Sequence, residues 1–150
     1  YYTEEKPSPF RGEDISNIIL ELLAITQWGS LDFLIIDMPP GIGDETLDVI
    51  RYMKKSEFLI VSTPSKVAMG AVRKLLTILL EIKKPILGII ENMTMTDSPF
   101  IEEEVQKLTV PYLGKIYFDE TLEEAIGDTD RLMKTQAMKD LAVILRKIDL

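Results

Sequence analysis

The chain of 150 residues contains no cysteine and no histidine. The missing cysteines exclude a disulfide, a thiolate nucleophile and any cysteine-held metal ion or iron–sulfur cluster within this chain. The missing histidines remove the most common general base and a frequent zinc ligand. Any chemistry performed by this chain must therefore come from carboxylates, amides, hydroxyls, amines and backbone groups.

Positive charge and long apolar runs are also scarce. The chain has 17 basic against 25 acidic residues and a net charge of −8, which argues against nonspecific nucleic-acid binding. No apolar run approaches the roughly 20 residues of a transmembrane helix, and no signal peptide is visible. We therefore expect a cytoplasmic protein with neither nucleic acid nor membrane as partner. Because the chain begins with Tyr1 rather than Met, we also expect a fragment of a longer protein.

Short apolar runs alternate along the chain with segments of helical periodicity. Such runs are typical of strands covered on both faces. The predicted strands are 33–37, 58–62, 86–90 and 112–117. The predicted helices are one with Asp14 near its start, then 44–55, 69–79, 97–108, 120–126 and 131–147. This alternation predicts an α/β fold with a mostly parallel sheet and helices on both faces.

Polar side chains follow each predicted strand. Asp37 comes after the first, residues 63–65 after the second, Asn92 after the third and Asp119 after the fourth. In sheets of this kind, ligands bind beyond the carboxyl ends of the strands. The sequence therefore predicts a binding site at this edge of the sheet.

The segment 34–44, LIIDMPPGIGD, carries the strongest chemical signal. An apolar run that delivers Asp37 to a strand end suits a carboxylate that holds Mg²⁺ beside a phosphate. Gly41 and Gly43 allow backbone N–H groups to approach an anion closely. Two alternatives remain open, since Asp37 could merely cap the next helix and Asp44 could be the N-cap of helix 44–55.

The longer segment 28–44, WGSLDFLIIDMPPGIGD, resembles the Walker-B region of Mrp-type P-loop ATPases. These belong to the MinD/ParA/nitrogenase-iron-protein group, and many are iron–sulfur cluster carriers. Four shorter matches follow the order of the family and extend the resemblance over residues 11–126. They are Arg11-Gly12, Ser62-Thr63-Pro64-Ser65 with Ala68, Gly88-Ile89-Ile90-Glu91-Asn92-Met93, and Gly114-Lys115-Ile116 with Asp119.

The resemblance implies a P-loop NTPase-like fold, with residues 1–150 as the C-terminal portion of a single ATPase domain. It implies ATP and Mg²⁺ as cofactors, with Asp37 as the metal-associated carboxylate. Pro39 and Gly41 would contact the nucleotide, with Gly41 near the γ-phosphate. Asn92 would hydrogen-bond the adenine, and Asp119 with its neighbours would flank the base. From the residues alone, the alternative for Asn92 is a side chain that caps a turn or helix.

Three departures from the family pattern shape these expectations. The N-terminal Gly-Lys-Gly-Gly-Val-Gly-Lys-Ser/Thr loop, which cradles phosphates, is absent. The place of the family's Cys-x-x-Cys reads Thr94-Met95-Thr96-Asp97-Ser98-Pro99-Phe100. Tyr117 stands where the family usually has Pro.

The expected function is therefore ATP binding and hydrolysis of the Mrp/MinD type, linked to iron–sulfur cluster assembly, once a Walker A segment is joined. The isolated chain is expected to be inactive. The expected partners are ATP or ADP, a second copy in a homodimer, and iron–sulfur client or scaffold proteins. One alternative is a MinD/ParA-like switch that binds a partner or, through the basic amphipathic helix 131–147, a membrane. Another is a degenerate interaction domain that binds no nucleotide.

Overall fold

The computed structural model describes residues 12–148 and divides the chain into two units. Unit 1 is Tyr1–Ser56 and unit 2 is Glu57–Leu150. The described part of unit 1 contains helices α1 (Gly12–Ile25) and α2 (Asp44–Tyr52), which contact each other. The amphipathic helix expected near the start of the chain is confirmed by α1.

Helix α2 begins differently from the prediction. Gly43 occupies the N-cap position, Asp44 is the first helical residue, and no side chain caps the helix. The prediction of Asp44 as N-cap is therefore wrong. Asp44 still lies in the first turn, where its negative charge interacts favourably with the helix dipole.

The predicted strand 33–37 is not a strand in the structure. Residues 33–37 form neither helix nor strand, and Phe33 and Ile35 are 61% and 91% exposed. An apolar run becomes a strand only when a neighbouring strand takes its backbone hydrogen bonds. Within the described part of unit 1 no other strand is present to do so. The prediction of a strand over 33–37 is therefore wrong for the described structure.

Unit 2 is built on a parallel sheet of three strands in the order β1-β2-β3. The strands are β1 (Phe58–Ser62), β2 (Ile86–Thr94) and β3 (Tyr112–Tyr117). All three predicted strands of this region are confirmed, and β2 runs four residues further than predicted, to Thr94 rather than residue 90.

Helices connect and follow these strands. In chain order they are α3 (Lys66–Glu81), α4 (Phe100–Gln106), α5 (Thr121–Ala125), α6 (Thr129–Leu132) and α7 (Gln136–Leu145). Helix α3 contacts β1, whereas α4 and α7 contact β3. The α/β fold class with a parallel sheet is thereby confirmed.

The central strand β2 is covered on both faces. Ile89 and Ile90 are 0% and 2% exposed although successive side chains of a strand point to opposite faces. Ile90 packs in a buried cluster with Leu113 of β3 and Ile144 of α7. Gly88 allows a close approach, because a Cβ there would lie 2.8 Å from the carbonyl oxygen of Pro111. These contacts hold β2 tightly in the middle of the sheet.

The single helix predicted over 131–147 is two helices, α6 and α7. The break lies at Thr135, whose hydroxyl donates to the Leu132 carbonyl at 2.7 Å and accepts from Met138 N–H at 3.4 Å. The same side chain thus closes one helix and caps the next. Ile144 of α7 is buried against the sheet, and Lys147 Nζ donates to the Leu113 carbonyl at 2.6 Å. Packing on the sheet is therefore the observed role of α7. Across residues 12–148, no helix has the length and apolarity needed to cross a bilayer.

Candidate nucleotide site

Asp37, Pro39 and Gly41 lie in one loop of unit 1, and all three are exposed. Gly41 has φ +94°, a left-handed conformation that glycine adopts without strain. A Cβ at Gly41 would meet no atom within 4 Å, so the space beside this backbone is open. Thr46 Oγ1 of α2 donates to the Gly41 carbonyl at 3.5 Å. The loop therefore offers a free carboxylate and an accessible glycine backbone.

The residues of this loop do not form a complete metal site by themselves. In the described part of the chain, no group of three or more acidic side chains could hold a metal ion. Mg²⁺ in phosphate-transfer sites is commonly bound by one or two carboxylates together with phosphate oxygens and water. A lone exposed Asp37 fits that donor set, in which phosphate oxygens and water supply the other ligands.

In unit 2, Asn92 lies near the carboxyl end of β2 in a local irregularity of the strand. Its side-chain Oδ1 accepts from Met93 N–H at 2.8 Å. Met93 has φ +60°, an uncommon conformation for a non-glycine residue. The Asn92 amide therefore bonds to the adjacent backbone within β2, and its Nδ2 group has no partner within residues 12–148.

Asp119 follows β3 and holds the start of α7. Its Oδ1 accepts from Thr121 Oγ1 at 2.6 Å and from Thr121 N–H at 3.0 Å. Its Oδ2 accepts from the N–H groups of Gln136 and Ala137 at 2.8 and 3.1 Å. The Thr121 hydroxyl and these backbone donors lower the pKa of Asp119 below its ordinary value. Asp119 thus ties the turn after β3 to the first turn of α7.

Glu91 is a functional candidate to which the sequence reasoning gave no role. It is 0% exposed at the end of the apolar part of β2. Its Oε1 accepts from Thr94 Oγ1 at 3.1 Å and its Oε2 from the Tyr112 hydroxyl at 2.9 Å. Burial, then the hydrogen bond to Glu91, raise the pKa of Tyr112. A lone carboxylate within an apolar strand was the signal in the sequence that could have found it.

The loop that stands in the place of the family's Cys-x-x-Cys is fastened to the sheet. Lys115 of β3 donates to the Asp97 carboxylate and, at 2.9 Å, to the Ser98 carbonyl. The hydrogen bond to Asp97 raises the pKa of Lys115. An ion pair, rather than a metal-binding pair of thiolates, therefore organises this loop.

The structure brings Asn92 and Asp119 to the same edge of one sheet. They follow or end the neighbouring parallel strands β2 and β3, whose last paired residues are Thr94 and Tyr117. Asp37, Pro39 and Gly41 share one loop of unit 1. Open parallel sheets with polar groups at the carboxyl ends of their strands are the architecture of nucleotide-binding α/β proteins.

Comparison with known proteins identifies the class of this protein as P-loop NTPases of the ParA type. The family model described as "ParA: NUBPL iron-transfer P-loop NTPase" matches residues 1–149. The chain belongs to this family.

Curated relatives carry names from iron–sulfur metabolism. The chain is 36% identical over 134 residues to an iron–sulfur cluster carrier protein of Pyrococcus horikoshii, covering 81% of the chain and 45% of that protein. It is 36% identical over 129 residues to the chloroplast Fe-S cluster assembly factor HCF101 of Oryza sativa, covering 79% of the chain and 24% of that protein. The chain therefore spans less than half the length of these two relatives.

Solved structures show the same fold. The septum site-determining protein MinD of Pyrococcus horikoshii, in complex with Mg-ADP, aligns with a TM-score of 0.67 at 21% identity. This alignment covers 93% of the chain and 57% of that protein. The cell division ATPase MinD of Pyrococcus furiosus aligns with a TM-score of 0.64 at 18% identity, covering 91% and 57%. The expected family and fold are confirmed.

Proposed function

We propose that this chain is the C-terminal portion of a single P-loop ATPase domain that binds and hydrolyses ATP in iron–sulfur cluster assembly. The observation that carries the proposal is the loop 37–44, which combines a free carboxylate with a glycine in the left-handed conformation. The family match over residues 1–149 and the names of the curated relatives support it.

In this proposal Asp37 holds the Mg²⁺ that arrives with the nucleotide, and Pro39 and Gly41 contact the nucleotide, Gly41 near its γ-phosphate. The exposed N–H groups of a glycine-rich turn suit an anion. The Mg²⁺ ion would neutralise negative charge on the phosphates during phosphoryl transfer. Asn92 hydrogen-bonds the adenine, for which the free Nδ2 and the second lone pair of Oδ1 are available. Asp119 fixes the turn that flanks the base.

The lysine and glycine-rich loop that cradle the phosphates are assigned to the part of the domain beyond this chain. Without them, the charge on the β- and γ-phosphates has no matching cation near Asp37 in the sequence. The isolated 150 residues should accordingly bind nucleotide poorly. A homodimer, in which two copies of the protein pair around the nucleotide, is part of the same proposal.

The absence of cysteine limits how this chain takes part in cluster assembly. Thiolates are the usual ligands of iron–sulfur clusters, and the chain has none. The cluster is therefore cargo held elsewhere, by the rest of the protein or by a client or scaffold protein. The lack of cysteine also favours a second function, a MinD/ParA-like switch whose ATP state controls binding of a protein partner.

Calorimetry of the complete gene product with Mg·ATP tests the proposal. We expect binding, and we expect Asp37→Ala to weaken it by about tenfold or more, because a charge-assisted metal contact is lost. Asp32→Ala is the matched control, since Asp32 is an exposed acid of the same segment. A complete protein that binds no nucleotide would overturn the proposal. ATP-dependent capture of an apo iron–sulfur protein separates the cluster-assembly role from the switch.

A further inference from the structure

Strand β2 contains a bulge next to Asn92. Glu91 pairs with Lys115 and Thr94 pairs with Tyr117 of β3. Two residues of β2, Asn92 and Met93, therefore lie opposite the single residue between that pair on β3. A bulge of this kind re-aims side chains and is common near binding sites. Here it turns the backbone at Met93 to φ +60°.

The buried Glu91 carboxylate spans the bulge. Its two oxygens accept from Thr94 Oγ1, beyond the bulge on the same strand, and from the Tyr112 hydroxyl at the start of β3. Lys115, its register partner, attracts Glu91 electrostatically from the neighbouring strand, while its ammonium group is bonded to Asp97 and the Ser98 carbonyl. A fully buried carboxylate is tolerated when its oxygens are hydrogen-bonded and its charge is compensated. The network fixes both ends of the bulge relative to β3.

The bulge in turn orients the Asn92 side chain. Met93 N–H donates to Asn92 Oδ1 at 2.8 Å, so the direction of this backbone group decides which side of the amide faces outward. Adenine presents an amino donor beside a ring-nitrogen acceptor, whereas guanine presents two acceptors at the corresponding edge. An amide held in one orientation distinguishes the two bases, and an amide free to rotate does not.

We propose that Glu91 is a positioning residue which, through the Thr94 and Tyr112 hydroxyls, holds Asn92 in the orientation that selects adenine over guanine. This inference rests on the proposed nucleotide-binding function and extends it to base selectivity. Glu91 touches neither base nor phosphate in this mechanism. It acts through the backbone of the bulge.

The test compares ATP and GTP binding to the complete gene product by calorimetry in the presence of Mg²⁺. Thr94→Val keeps the β-branched shape of a side chain that is 1% exposed but removes its bond to Glu91. The ATP preference over GTP should fall by about tenfold, the value of roughly one base-edge hydrogen bond. Thr94→Ser, which retains the hydroxyl, should preserve the preference, and Tyr112→Phe should lower it like Thr94→Val.

The matched control is Thr77→Val, which removes a threonine hydroxyl of α3 in the same unit, bonded to the Arg73 carbonyl at 3.0 Å. It should leave the preference unchanged. If folded Thr94→Val and Tyr112→Phe proteins bind both nucleotides with the wild-type ratio, the positioning role is overturned while the ATPase proposal stands. If the wild-type protein binds neither nucleotide, the proposed function itself fails.

Discussion

Two apolar runs of this chain have nearly the same sequence pattern but differ in burial and strand pairing. Residues 34–37 read Leu-Ile-Ile-Asp in unit 1, and residues 88–91 read Gly-Ile-Ile-Glu in unit 2. Ile35 is 91% exposed, and no strand of the described unit 1 pairs with its run. Ile89 is 0% exposed and its run is paired on both sides, with β1 and with β3. An apolar run ending in an acid becomes a buried strand through its neighbours, and its own sequence does not distinguish the two outcomes.

The two acids at the ends of these runs differ in the same way. Asp37 is exposed, whereas Glu91 is fully buried and accepts two hydrogen bonds. A carboxylate left in water is free to meet a ligand. One that is enclosed and paired instead fixes the backbone around it. This contrast is the physical basis for giving Asp37 a ligand-binding role and Glu91 a positioning role.

The largest effect is expected in the paired run. Ile89→Asp places a charge without a partner at the centre of unit 2 and should lower the free energy of unfolding by about 4 kcal/mol. Urea unfolding followed by circular dichroism measures this change. Ile89→Val, which removes one methylene, is the control and should cost about 1 kcal/mol. A small loss for Ile89→Asp would contradict the burial of this strand.

An intermediate effect is expected at Asp119, which links the end of β3 to α7. Its pKa is lowered in the folded protein, so its stabilising contribution is complete above the unfolded pKa of about 3.9 and is lost as pH falls through the folded pKa. Asp119→Asn should therefore flatten the fall in stability as the pH drops below about 4. Unfolding curves at a series of pH values test this.

Asp130→Asn is the matched control for that experiment, because Asp130 is an exposed acid of α6 in the same unit. It should leave the acid dependence close to that of the unchanged protein. An Asp119→Asn protein with the full acid dependence would show that the four hydrogen bonds to this carboxylate add nothing to stability.

The sequence correctly predicted those strands whose neighbouring strands and helices lie in the same unit of the chain. Strands β1, β2 and β3 were located from apolar runs, because each is covered by the others and by the helices between them. Sequence reasoning failed at 33–37, where the structure has neither helix nor strand. It also failed at Thr135, since a side chain that ends one helix and caps the next leaves the apolar stripe of 131–147 unbroken.

The candidate site was predicted unevenly for a related reason. The residue types of the loop that contains Asp37, Pro39 and Gly41 indicate anion and metal binding. The roles of these three residues stay predictions. The hydrogen bonds of Asp119 to Gln136 and Ala137 join segments 17 and 18 residues apart, which no local pattern reveals. Glu91 stood within a recognised motif, but only its burial and its bond to Tyr112 across the sheet indicate what it does.

The smallest effect is expected from Ile35→Asp in the chain of residues 1–150. With 91% of Ile35 exposed, this change should alter the free energy of unfolding by no more than about 0.5 kcal/mol. In the complete ATPase domain that we propose, a strand that pairs with 33–37 would bury one face of the run, and the same change should then cost about 2–4 kcal/mol. Urea unfolding of both proteins measures the difference. Equal and small losses would mean that the run stays unpaired in the complete protein, and a large loss in the 150-residue chain would mean that Ile35 is covered there already.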